Sequence, residues 1–343
     1  MTGIGTLLLS IVLATSGPRE IKPSFSVVVA AWNATHVVLA DEGETFDGEM
    51  TVTTSLRGDL APGATLRIPE LAALAPVERR RTVPGWLPER EPPPTVVSGR
   101  RVLLFLVRTE EGWATANPPG GMRESACWFE GGRAFAFVQR INPGPVELIP
   151  WGPDEVEMWR DVFQALDWRD RFDAALAIEA PARRAEALAG MLHPPSEWWR
   201  GSALDALAAI GDPALPFLRR EIEDLERAGA AVPPDLQSAL VTVGGESVRP
   251  DLHAIFRRES AFWRTRAPEL GREWFHGGAV PWPEQVRLRD RLRSLTAAIE
   301  TLARLAPDAA MRESIRDFAS FWRALPHLEG RTDGLLEACE SHR

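Results

Sequence analysis

Apolar positions along this 343-residue chain change their spacing once, near residue 150. Before that point they come in short bursts rich in Val, Phe and Thr, broken by Gly, Pro and Asp, which is the pattern of half-buried strands. After it they recur every three to four positions, the pattern of helices with one apolar face. The spacing predicts an α+β chain of two domains: a small antiparallel β-sheet or barrel over residues 22–148 and an all-α region over residues 152–343.

In the first half, Ser26-Val27-Val28-Val29-Ala30-Ala31-Trp32 and Thr35-His36-Val37-Val38-Leu39-Ala40 read as a hairpin, and residues 45–56 as a third strand ending at Gly58. Pro62-Gly63 turns into Thr65-Leu66-Arg67-Ile68. Residues 102–107 are continuously apolar, as expected of a central strand covered on both faces. Residues 113–116 and 134–138 complete the sheet. Arg79-Arg80-Arg81 and Glu91-Pro92-Pro93-Pro94 fall in a long proline-rich insertion.

In the second half the clearest unit is Ser202-Ala203-Leu204-Asp205-Ala206-Leu207-Ala208-Ala209-Ile210-Gly211-Asp212-Pro213-Ala214-Leu215-Pro216-Phe217-Leu218. Ala203, Leu207 and Ile210 form one stripe; Leu215, Leu218, Ile222 and Leu225 form the next. Gly211 ends the first helix, with Asp212 as cap and Pro213 as first residue of the second. A second hairpin pairs Leu236, Leu240 and Val243 with Val248, Leu252 and Ile255. A third pairs Leu288, Leu292, Leu295, Ile299 and Leu302 with Met311, Ile315, Phe318, Trp322 and Leu325. A less regular pair, over residues 154–192, comes first, with Asp154 as its cap. Helical hairpins in series bury their faces against one another, so the pattern implies an α-solenoid, a scaffold that displays a surface.

The segment from Ala203 to Leu218 resembles a HEAT repeat, of the short type also found in bilin-lyase-like proteins. That resemblance implies a curved surface for protein partners. The first half, with Ser55-Leu56-Arg57-Gly58, Pro62-Gly63 and Arg101-Val102-Leu103-Leu104-Phe105-Leu106, is similar to small β-barrels of exported bacterial proteins, including the fold of tissue inhibitors of metalloproteinases. It lacks the paired amino-terminal cysteines of those inhibitors.

Composition narrows the function. A net charge of -9 argues against nucleic acid as a partner, because phosphate binding needs a basic footprint. Lys22 is the only lysine, so the cations are arginines. Two cysteines, Cys127 and Cys339, give no disulfide framework, and the histidines are not spaced as metal ligands, so neither a metal nor a cofactor is expected. Residues 1–16 hold an apolar run ending in Ala14-Thr15-Ser16, as a cleaved signal peptide does, although the run is preceded by no Arg or Lys. The signal-like run makes the mature protein an expected export, periplasmic or extracellular; the run is too short to span a membrane, so no span is expected, and a monomer is expected.

Trp263, Trp274 and Trp282 fall in the interruption between the second and third hairpins, interleaved with Arg266, Arg272 and His276. Trp and Arg concentrate binding energy when desolvated, so this loop lines a recognition pocket or else its indoles plug the gap in the solenoid. Trp199, beside Trp198, is placed either in the stripe or at an interface. Glu273 and His276 could share a helix face, but no third partner makes them a catalytic site, and Cys127 reads as a buried strand thiol. No catalytic residue is assigned. The expected function is a non-enzymatic protein-interaction scaffold that contacts its protein partner through Trp199, Trp263, Arg266, Arg272, Trp274, His276 and Trp282. The alternatives are an enzyme, lyase-like or hydrolytic, and a structural envelope component.

Overall fold

In a computed structural model, the described residues are 26–43, 48–72, 80–81, 101–116, 126–130, 133–139, 146–150, 155–194, 197–270, 280–305 and 308–325. The chain divides into two compact units, Met1–Arg169 and Asp170–Arg343.

The first unit opens on helix α1 (Val27–Asn33) and continues through β1 (His36–Glu42), β2 (Glu49–Arg57), β3 (Thr65–Arg67) and a short α2 (Pro69–Ala72). Then come β4 (Arg80–Arg81), β5 (Arg101–Thr109), β6 (Gly112–Thr115), β7 (Ala126–Glu130), β8 (Arg133–Gln139) and β9 (Val146–Pro150). They make one nearly closed sheet in the order β3-β2-β1-β5-β7-β8-β9-β4, with β6 paired to β5. All the pairings are antiparallel except β4 with β9. The continuously apolar β5 sits between β1 and β7, and its residues Val102, Leu103, Leu104, Phe105 and Leu106 are all buried. One face of it joins Val38, Met50, Val52, Leu66 and Trp128 in the core.

Residues 27–33 are helical, not the first arm of a hairpin. The Ser26 hydroxyl accepts from the Val29 N–H, and the turn buries Val27, Val29, Ala30, Ala31 and Trp32 at once. A strand would point alternate side chains to opposite faces, so burial outweighs the β propensity of the valines. The chain joins the sheet only at Thr35, whose N–H donates to the Leu106 carbonyl. Within the long insertion, Arg80–Arg81 pairs with β9. The rest of that insertion, residues 1–16 and Asp154 lie outside the described residues.

The change of period falls between β9 and α3 (Glu155–Leu176), and the compact division lies further on, inside that helix. Its first turns belong with the sheet: Trp159 stacks on Phe129, rings 5.4 Å apart and 4° from parallel.

The second unit holds α4 (Pro181–Ala189), α5 (Glu197–Ile210), α6 (Leu215–Arg227), α7 (Pro234–Gly244), α8 (Arg249–Arg266), α9 (Trp282–Arg304) and α10 (Ala309–Arg323). Helices α5, α7 and α9 pack in a row, while α4 packs on α6 and α8 on α10. The stripes read from the sequence face inward: Leu207, Leu218, Leu240, Leu252, Ile255, Leu295, Ile299, Leu302, Ile315 and Phe318 are buried. Gly211, at φ +79°, makes the corner after α5. Asp212 does not cap α6; it starts a 3-10 turn, Asp212–Ala214, and α6 begins at Leu215, whose N–H donates to the Asp212 carbonyl. Asp308 does cap α10, accepting from the Met311 N–H at 2.8 Å.

Arginine–carboxylate pairs tie helices two apart in the chain. Arg200 of α5 donates to Asp235 of α7 and Arg219 of α6 to Asp251 of α8, each at 3.0 Å. Both pairs join opening turns, so the helices of each pair start at the same end.

Candidate functional site

Helix α9 carries the site. It opens after Pro281, and the buried Gln285 side chain donates back to the Val280 carbonyl at 2.7 Å. Helix α7 opens the same way, Gln237 donating to the Val232 carbonyl at 3.0 Å. The two segments, Ala231-Val232-Pro233-Pro234-Asp235-Leu236-Gln237 and Ala279-Val280-Pro281-Trp282-Pro283-Glu284-Gln285, share Ala, Val, Pro and Gln at matching positions. Gln237 also donates to the Ser294 carbonyl at 3.0 Å, fastening α7 to α9.

Behind α9 lies a buried charge network. Glu259 of α8 has no solvent exposure; Arg258 donates to its Oε1 at 2.8 Å and Arg291 of α9 to its Oε2 at 3.0 Å. Arg258 reaches on to Glu226 at 3.1 Å. Arg291 also donates to the Gly229 carbonyl at 2.5 Å, and its guanidinium lies 4.1 Å over the Phe262 ring. In a dry setting such pairing is what makes the Glu259 carboxylate tolerable.

In front, α9 and the turn after α6 border a cleft of about 500 Å³, lined by Arg200, Arg287, Asp290, Arg291, Arg293, residues 228–231, Pro233 and Pro234. Arg200 and Pro233 also line a recess of about 40 Å³ among Leu192, Leu204, Leu225 and Leu236. His193 and Glu221 meet at 3.1 Å on its rim.

Of the described residues singled out in the sequence, Trp282 is the exposed one. It is 64 % exposed at the first turn of α9, one turn before Val286 at 38 %, and Arg289 stands 5.7 Å from its ring. Arg266 fixes that turn from below, bridging Glu269 at 2.7 Å and Glu284; both carboxylates raise its pKa. Trp263 is buried, edge to face on Trp322 with rings 5.4 Å apart, and Trp199 is buried in α5. Those two indoles fill the core. Arg272, Trp274, His276, Glu273 and the Trp198 side chain lie outside the described residues. The arginines of the cleft are not legible in the sequence because they are scattered between positions 200 and 293.

The first unit holds two other clusters. His36 bonds Asp59 through Nε2 at 2.8 Å and Thr35 Oγ1 through Nδ1 at 3.0 Å. The Thr35 hydroxyl itself donates to the Leu106 carbonyl, which ties the arrangement to the sheet. On α3, Phe163 and Val156 are exposed on either side of Trp159. Cys127 is wholly buried, and burial pushes its thiol far up, so it stays protonated. Among the described residues no three potential metal ligands come together, and no helix is long and apolar enough to cross a membrane.

No protein-family model, curated protein or solved structure matches the chain.

Proposed function

We propose that this chain is an exported, non-enzymatic interaction scaffold whose helical unit is a short HEAT-like solenoid that binds a protein partner through the solvent face of α9. The observation that carries this reading is the exposed pair Trp282 and Val286, one turn apart, among Arg287, Arg289 and Arg293 on the same helix. An indole 64 % exposed beside an exposed valine and several arginines has the composition of an interface patch, where aromatic and arginine side chains are enriched as anchors. The row of α5, α7 and α9, the repeated arginine–carboxylate ties and the shared opening of α7 and α9 support the solenoid. The β unit, on this reading, is a separate module carried by the same chain.

Affinity capture with the full chain, beside a Trp282→Ala/Val286→Ala variant of unchanged melting temperature, tests this. A partner held stoichiometrically by the parent and lost by the variant is the expected result. A partner held equally by both removes the α9 face from the binding surface.

A further inference from the structure

Resting on that reading, we infer that the cleft beside α9 takes an acidic peptide segment of the partner, its Asp or Glu side chains on the arginines and one aliphatic group against the small recess.

Four arginines and one aspartate line the cleft, on a chain whose net charge is -9. Asp235 and Glu259 neutralise Arg200 and Arg291, so the cleft's excess positive charge is that of Arg287 and Arg293 against Asp290, opposite in sign to the protein as a whole. The four arginines are not equally committed. Arg291 is held by Glu259, Gly229 and Phe262, and those contacts use two of its five N–H groups. Arg200 is held by Asp235 through Nε alone. Among the described residues Arg287 has no hydrogen bond or ion pair, and Arg293 has only Asp290 at 3.8 Å. Two fixed guanidiniums and two unspent ones make a preorganised receptor with little ordering left to do at half its contacts.

Three features select carboxylates on a peptide over a phosphate polymer. Asp290 lies in the wall and repels a continuous run of charge. The protein's net charge repels a long polyanion as it approaches. Beyond Arg200 the lining becomes aliphatic, Leu192, Leu204, Leu225 and Leu236, which a peptide can fill and a phosphodiester backbone cannot. At about 40 Å³ the recess has room for little more than one methyl-sized group.

Fluorescence anisotropy with the full chain tests the assignment, the probe being a fluorescein-labelled peptide whose glutamates and aspartates are separated by glycines, with one central alanine. Arg287→Ala/Arg293→Ala should weaken binding at least tenfold without moving the melting temperature, since neither side chain supports the fold. The glutamine/asparagine version of the peptide should not bind, and a short single-stranded DNA should compete only at far higher concentration than the unlabelled acidic peptide. No binding to the parent chain, equal binding of the two peptides, parent-like affinity in the arginine variant, or DNA competing better than the peptide each overturns the assignment. If Trp282→Ala/Val286→Ala abolishes partner capture while the arginine variant leaves it intact, the cleft fails and the α9 face stands.

Discussion

Glu259 and Arg291 meet at 3.0 Å, the carboxylate with no solvent exposure and the guanidinium on the wall of the cleft, so one ion pair serves both core and surface. Removing the acid leaves Arg258 and Arg291 without their buried counter-ion. Glu259→Leu is expected to cost about 3–5 kcal/mol, read from urea unfolding, because breaking one side of a buried pair strands the other.

Two tryptophans that look alike in the sequence should behave oppositely. Trp263→Ala empties a buried, edge-to-face contact with Trp322 and should cost about 3–5 kcal/mol. Trp282→Ala, at an exposed position, should stay within about 0.5 kcal/mol of the parent. Thermal melts of the pair check both.

That contrast marks how much the sequence makes legible. The period change near residue 150, the central strand and the inward stripes of α5 to α10 follow from spacing alone, because burial repeats with the period of each element. Residues 27–33 misled it, since Val-Val-Val has strand propensity and only the surrounding core decides for helix. Trp263 and Trp282 could not be told apart for a related reason: one falls at the inward side of α8 and the other at the first turn of α9, and helix phase at a terminus depends on where the helix starts. The cleft was invisible because its arginines come from α5 and α9, far apart in the chain.

Gly58 sits at φ +89°, and a Cβ there would lie 2.1 Å from Cδ2 of His36. Gly58→Ala should therefore cost about 1–3 kcal/mol through backbone strain and also expel the imidazole from its place between Thr35 and Asp59. The imidazole resonances of His36 should move in the NMR spectrum. Its hydrogen bond holds the Asp59 carboxyl below the usual range, so the contact contributes stability above the ordinary aspartate value and loses it as pH falls further; Asp59→Asn should flatten that acid limb of the melting curve.

His253 in α8 gives a second pH signature. Burial, reinforced by Arg257 and Arg249 and opposed by Asp308, pushes its imidazole below the ordinary range, so the folded chain prefers it neutral. The unfolded chain takes up the proton first, near pH 6.5, and stability is expected to fall as pH drops from there through the lower folded value. His253→Gln should lack this component, as seen by comparing unfolding midpoints of the two proteins at pH 7.5 and 5.5.

Binding through the face of α9 is tested most directly by site-specific photo-crosslinking in cells that express the full chain. A photoreactive phenylalanine placed at position 282 or 286 should trap one and the same protein, while one at Arg312 on α10, exposed on another element, should trap none. Trapping from Arg312 as readily as from α9, or from neither, would contradict binding through this face.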